Sequence, residues 1–292
     1  MQISLREKSQ VRRYTRSKFG NFIIFFCLVL AGLFMLLPMI YTIISSFKPL
    51  EEILVYPPKF FVKRPTLINY LSLPSLLSNL MVPFSRYLFN STFIAVCATF
   101  LHVIVASGAA YVFTMYKRFK TITLCFVIVQ FSLLFNAYTL AVPQYFIFAK
   151  LNMLNTYFVY ILPAIPSALG VFLMKQFMEG SIPHSVIEAA RIDGAGTIRI
   201  FGIIVMPMVK PAWMTLVLLT FSSTWSMSSS NMVFSEQIKL LPNIMSQIAS
   251  GGLARMGASM ASSVLMMLPP MIIYLFSQSN IIETMSNAGM KD

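Results

Sequence analysis

Few side chains in this sequence are equipped for catalysis. Among 292 residues there are two histidines, His102 and His184, three cysteines and nine acidic residues. His102 sits in a long apolar stretch with no acidic neighbour in sequence, which suits a hydrogen-bonded packing role better than a general base. Cys27, Cys97 and Cys125 are odd in number, fall in apolar stretches and lack metal-ligand spacing, so they read as small packing residues. No glycine is followed by lysine, which removes the P-loop route to cradling ATP phosphates. No catalytic or metal-ligating set emerges. The polar groups that do recur in apolar surroundings are amides, hydroxyls and aromatic rings. Gln130, Asn136, Tyr138 and Gln144 form one group; Thr224, Trp225, Ser226, Ser228, Ser229, Ser230 and Asn231 form another. Such groups can pair with solute hydroxyls and stack on flat solute faces. Ser and Thr also serve helix packing in membranes, and Trp and Tyr mark the interface, so both readings stay open.

The most patterned stretch is 181–211, where Ser-Ile-Pro-His-Ser-Val-Ile-Glu-Ala-Ala-Arg-Ile-Asp-Gly-Ala-Gly begins the segment. Pro183 suits a first helical turn, and Ser185 with Glu188 has capping-box spacing. Gly194 and Gly196 can end that helix. A second helix then leads through Ile204 and Pro207 into the next apolar run. Ala189 and Ala190 offer a low-relief face that another protein can approach, with Glu188, Arg191 and Asp193 supplying charge around it.

The elements that position these residues follow from charge spacing. Only 11% of residues are charged and 57% are apolar, well outside soluble averages of about 25% and 45–50%. Uncharged runs separate Lys18 from Lys48, Arg86 from Lys117, Lys120 from Lys150, Lys150 from Lys175, Lys210 from Glu236 and Arg255 from Glu283. Each exceeds the roughly 20 residues a helix needs to cross a bilayer core, where every backbone polar group must pair within its own segment. The expected fold class is therefore all-α integral membrane, with six transmembrane helices over about 20–47, 86–114, 121–143, 155–177, 207–230 and 257–279. Residues 1–19 form a basic tail and 20–292 one six-span domain, with the inner loop 178–211 between spans four and five. The first run reads as an uncleaved signal anchor. Pro57, Pro58 and Pro65 favour an extended external path before a short surface helix, and Pro143, Pro163, Pro166, Pro269 and Pro270 are expected kinks that free carbonyls to line a cavity.

The net charge of +13 is explained by topology rather than nucleic acid. Arg6, Lys8, Arg12, Arg13, Arg16 and Lys18 in the tail, Lys117, Arg118 and Lys120 in a tight turn, and Lys175, Arg191, Arg199, Lys210 and Lys291 all fall on one side. That is the positive-inside pattern, with both termini cytoplasmic and lipid headgroups as the acidic partner. No Asp or Glu lies within a span, which counts against a proton- or ion-coupled transporter.

Glu188-Ala189-Ala190, Gly194, Ile204 and Pro207 match, in spacing, the cytoplasmic signature of permease subunits of bacterial binding-protein-dependent ABC importers; Met206 replaces its usual Leu. Six such identities arise by chance in about two in a hundred thousand chains of this length. The chain resembles that family over nearly its whole length, and within it the six-span sugar permeases that pair with a second permease. Pro57-Pro58, Pro65-Thr66, Asn69-Tyr70 and Asn90-Ser91 look like theirs; Phe234-Ser235-Glu236-Gln237 and Ile282-Glu283-Thr284-Met285 look like a branch handling complex oligo- or polysaccharides. Many sugar permeases have Trp-Asn in span five, where this chain has Trp225-Ser226. The resemblance implies a coupling helix over Glu188–Gly194 seated in an ATPase cleft. It implies two ATPase subunits that hold ATP and Mg, a second homologous permease and an extracytoplasmic solute-binding protein. It further implies residence in a bacterial cytoplasmic membrane, and no cofactor on this chain. It leaves an amino acid, peptide or phosphate ester as the alternative solute, and a scaffold or channel without ATPase partners as a more distant rival. In such permeases the loop at 235–255 reaches into the binding protein; its Gly251-Gly252 and polar tip fit that role or a simple connector.

Overall fold

The computed structural model describes residues 18–76, 82–135, 137–228 and 231–289, and every regular element among them is helical. Asn136, Ser229, Ser230, Lys291 and the basic residues from Arg6 to Arg16 lie outside the described residues. The chain opens with α1 (Lys18–Ser46), followed by the single turns α2 (Leu50–Ile53), α3 (Ile68–Leu71) and α4 (Leu73–Leu76). Then come α5 (Phe84–Met115), α6 (Lys120–Ser132), α7 (Ala137–Lys150), α8 (Phe158–Ala164) and α9 (Ala168–Ser181). The inner loop carries α10 (His184–Ile192), α11 (Thr197–Arg199), a π-helical segment Ile200–Val205 and α12 (Met206–Met208). Last are α13 (Lys210–Trp225), α14 (Leu241–Ala249) and α15 (Met256–Gly289).

Among the described residues, four helices are long and apolar enough to cross a membrane: Phe19–Ser46, Phe84–Met115, Phe158–Ser181 and Gly252–Ser279. A fifth arises if Thr197–Met208 and Lys210–Trp225, bent by 81°, count as one span. The expected third span is broken into α6 and α7. At the break, Leu133, Leu134 and Phe135 donate to the carbonyls of Gln130, Phe131 and Ser132, and the Ser132 hydroxyl turns back onto the Val129 carbonyl. Those tight i−3 bonds and a competing side chain stop the ladder, as Ser tends to do inside helices. Pro143 was expected to end this span, yet it lies inside α7. Pro269 and Pro270 likewise sit inside an unbroken α15. The carbonyl that Pro270 cannot reach, Met266, accepts from Trp225 Nε1 at 2.9 Å, so it is paired.

The centre of the bundle is α5. Ser91, Ala95, Ala98, Ala106, Ser107 and Ala110 are all buried along it, and small residues let α9 and α13 approach closely without a hydrophobic drive between helices. By contrast α1 leaves Phe22, Phe25, Phe26, Leu33 and Phe34 exposed, as a lipid-facing helix should. It packs mainly on α15. The external segment after α1 is fixed by Asn69, which donates to the carbonyls of Ser46 and Lys48, and by buried Lys48, which donates to the Lys59 carbonyl.

Candidate functional site: an inner loop and a mid-depth cavity

In the inner loop, α10 begins after Pro183, with no side chain capping it. Ser185 is therefore already inside the helix, and the expected capping box with Glu188 does not form. The other end follows the expectation closely. Ala195 N–H bonds the Ala190 carbonyl and Gly194 N–H bonds the Arg191 carbonyl, while Gly194 has φ +80°. This is a Schellman ending, and the left-handed residue it requires explains the glycine.

Ala189 and Ala190 do not share a face. Ile187 and Ala190 point inward and join one core with Tyr111, Met174, Met178, Ile182, Ile200, Val205 and Val209, which ties α10 to α5, α9 and the approach to α13. Ala189, Glu188, Arg191, Asp193 and Gly194 remain exposed. Ile192 and Ile198 are each 86% exposed beside them, although neither was singled out from the sequence. Ile204 packs against the core and Pro207 is exposed just before the bend into α13. At that bend the Met206 carbonyl accepts from Trp213 Nε1.

Above the loop, about 20 Å away along the helices at 1.5 Å per residue, three features come level. They are His102 on α5, the break between α8 and α9, and the end of α13 at Trp225. His102 is buried and its Nδ1 lies 2.8 Å from the Ile165 carbonyl at that break. A side chain at Gly170 would strike Nε2 and Cε1 of the imidazole, so glycine is required there for close approach. Around this level lies a cavity of about 770 Å³, lined by His102, Gln144, Tyr160, Ser167, Thr220, Ser223, Thr224 and Ser228 with Leu216, Met227 and Met232. Irregular backbone at membrane depth is tolerated where it is buried or lines a water-filled cavity, and Pro163, Ala164 and Ser167 on one side and Met227, Ser228 and Met232 on another border this one.

The cavity brings together Gln144, Thr224 and Ser228, three candidates from two distant stretches of sequence. Others are dispersed. Ser226 lines a second, open cavity of about 840 Å³ between α13, α14 and α15, with Ser222, Ser246, Ser259, Ser263 and several methionines. Trp225 is fully buried, stacked on Phe221 at 5.8 Å with its N–H bonded, so it packs the core in this conformation. Gln130 is exposed on α6, Asn231 is exposed beyond α13, and Tyr138 is the second residue of α7. Tyr160, Ser167, Thr220 and Ser223 were missed because an isolated hydroxyl in an apolar helix looks like packing. Among the described residues, no Asp, Glu, Lys or Arg lines either large cavity.

On the opposite side from the inner loop, 231–241 is strapped down. Asn90 donates to the carbonyls of Gln237 and Lys239 and accepts from the Tyr157 hydroxyl, at 2.8–3.0 Å. Ser91 Oγ accepts from Leu241 N–H, and Asn155 Oδ1 accepts from the N–H groups of Phe234 and Ser235. Asn155 itself has φ 56°, a left-handed conformation that Asn tolerates. Beyond the strap, α14 buries Leu241, Ile244, Met245 and Ile248 against Tyr87, Phe221, Trp225 and Ala258. The expected mobile polar loop is thus largely a packed helix, with Gly251 and Gly252 at its far end.

No family model matches the chain. It is 32% identical over 204 residues to the sn-glycerol-3-phosphate transport system permease protein UgpE of Yersinia enterocolitica, covering 68% of this chain and 72% of that one. It is 30% identical over 270 residues to an ABC transporter permease protein of Pyrococcus horikoshii, covering 87% and 92%. The chain belongs to the ABC transporter permease family. The permease also shares its fold with a chain of a bacterial ABC transporter involved in import of the acidic polysaccharide alginate, at TM-score 0.74 and 24% identity over 91% of this chain and 99% of that one. Its place in the family accounts for a multi-pass helical membrane protein whose most regular surface feature is a loop outside the spans. The relatives it matches are named as permeases of transport systems, a transport role rather than an enzymatic one.

Proposed function

We propose that the permease is the membrane subunit of an importer for a saccharide, an oligo- or polysaccharide delivered by a solute-binding protein. It would pair with a second homologous permease and with two ATPase subunits that hold ATP and Mg. In this reading α6 and α7 together make the third of six spans, both termini are cytoplasmic, and the membrane is the bacterial inner membrane. α10 is the coupling helix: Glu188, Ala189, Arg191, Asp193 and Gly194 face the ATPase, while Ile187 and Ala190 key the helix into the spans.

The observation that carries the substrate class is the lining of the mid-depth cavity. Eight polar side chains line it together with nine apolar or glycine residues, and no carboxylate, lysine or arginine among the described residues does. Polar groups at membrane depth are costly unless they face protein or water, and hydroxyls with an amide suit a hydroxyl-rich solute. Gln144, Thr224 and Ser228 are this chain's best-supported path residues, with Asn136, Tyr138 and Ser229 beside them in sequence. Alternating access would open the cavity to each side in turn as ATP binding favours one state. A phosphate ester is the second reading, favoured by the likeness to the sn-glycerol-3-phosphate permease. An anion would need a cation from the partner permease, because no lysine or arginine among the described residues lines either of the two large cavities.

The test is assembly and uptake. Glu188→Lys and Gly194→Trp should each abolish co-purification of the ATPase subunits, and retained assembly with transport in both variants sinks the importer reading. Uptake by membrane vesicles with the partner binding protein, screened over neutral saccharides, alginate oligomers and sn-glycerol-3-phosphate, separates the solute classes.

A further inference from the structure

The segment between α1 and α3 folds back beside the end of α1. Thr66 N–H donates to the Phe47 carbonyl at 2.8 Å, and Phe60 packs on Tyr41 with ring centroids 5.7 Å apart. Lys48, buried and 5.3 Å from the centre of the Tyr41 ring, donates to the Lys59 carbonyl and fixes the same stretch. Tyr41 stands five residues before Ser46, the last residue of α1, which is about 7–8 Å along the helix. Residues 59–61 are therefore held beside the last turn or so of an apolar span, where headgroups meet acyl chains.

What this stretch leaves uncovered is apolar and basic together. Phe61 meets Phe60 edge-on at 5.3 Å and is 74% exposed, with Lys59, Lys63 and Arg64 exposed around it. Glu52 accepts the N–H groups of Lys63 and Arg64 on its two carboxylate oxygens, at 2.7 and 3.3 Å, which holds the basic pair in place. Neither of those two side chains has an ion pair among the described residues. From Phe47 to Leu76 the chain carries four basic residues and two acidic ones, so the segment is net positive. The surface also continues that of lipid-facing α1, where Leu36, Leu37 and Ile40 are exposed just before Tyr41. An aromatic ring flanked by Lys and Arg at this depth can place its apolar parts at the acyl boundary while the cations reach headgroups.

We propose that residues 59–64 are an interfacial anchor for anionic lipid: Phe61 enters the acyl boundary, and Lys63 and Arg64 hold phosphate-bearing headgroups. The anchor needs only that α1 crosses the bilayer, and so stands apart from the solute that the permease carries. Lys48 and Asn69 tie the anchored segment to the end of α1. Asn69 also lies so close to Gly257 that a side chain there would strike it, which brings in the start of α15. The anchor thus sets the height of two packed spans in the membrane.

The experiment uses the permease as purified from the membrane with its partner subunits, in nanodiscs of phosphatidylcholine with a rising fraction of phosphatidylglycerol. Cys27, Cys97 and Cys125 and the cysteines of the partners are replaced by serine. A nitroxide is attached at Phe61→Cys or, as a control, at Gln237→Cys, an exposed position in the loop after α13. Depth is read from collisions with oxygen, concentrated in lipid, against collisions with a nickel chelate, confined to water. The Phe61 label should meet oxygen in preference to chelate, the Gln237 label the reverse, and phosphatidylglycerol should draw the Phe61 label deeper. Lys63→Gln and Arg64→Gln should each raise the phosphatidylglycerol fraction needed for half that effect about fivefold, the worth of one cation near an anionic surface. A label at Lys59→Cys repeats the depth reading if Phe61→Cys does not assemble. Chelate access equal to that at Gln237 places the segment in water, and loss of both kinds of collision places it under another protein; either result overturns the proposal. A half-effect fraction unchanged in both glutamine variants overturns it as well, because the cations then do not read the headgroups.

Discussion

The two ends of the permease are held by different forces. The inner loop is fixed by apolar burial: Ile187, Ala190, Ile200 and Val205 sink into one core, while its charged residues point away. The strap at 231–241 is fixed by directed hydrogen bonds from Asn90, Ser91 and Asn155 to backbone groups. Apolar contacts tolerate small slides because no single geometry is required, whereas a side chain that meets two backbone groups at once sets one position. Under the proposed coupling role of α10, a rigid strap at one end and a keyed but shiftable loop at the other would let pushing at one surface become opening at the other.

That contrast can be broken by substitution. The largest effect on folding is expected from Ile187→Ala, about 2–4 kcal/mol for emptying a buried site, read as lost thermal stability of the detergent-purified complex. Ile192→Ala, at an 86% exposed position, should stay within about 0.5 kcal/mol and weaken ATPase association only. Equal losses of stability in the two variants would erase the distinction between keyed and docking faces. At the strap, Asn155→Ala should cost about 2 kcal/mol by losing two bonds and straining a left-handed residue. Asn155→Gly should recover roughly half of that, since it keeps the conformation. Equal melting temperatures for the two would assign the whole effect to the bonds. The smallest change is expected from Glu236→Gln. It removes the ion pair with Lys239 but leaves an acceptor for the Tyr87 hydroxyl, and should shift stability by less than about 1 kcal/mol.

Legibility from sequence was uneven, for physical reasons. Gly194 could be read as a helix stop because only glycine takes a left-handed φ at no cost, and spacing alone revealed it. The capping box failed because Ser185 and Glu188 have the right spacing but the helix starts earlier, after Pro183. Spacing cannot say which residue is first. The break at 133–135 carries no proline or glycine and so left no mark. The serine and threonine cluster near 224–231 was visible as a cluster, yet a helical turn sends Thr224 and Ser226 to different cavities.

Membrane residence and the inner loop are properties of composition and order along the chain: uncharged runs long enough to cross lipid, and a fixed distance from Glu188 to Pro207. These the sequence determined by itself, because hydrocarbon forbids unpaired backbone and a local ending motif depends only on neighbours. The meeting of His102 with Ile165, Trp225 with Met266 and Asn90 with Gln237 joins residues 41 to 147 positions apart. Only the tertiary structure decided those, and with them the cavity, since carbonyls freed at proline and helix breaks find partners wherever packing happens to bring a donor.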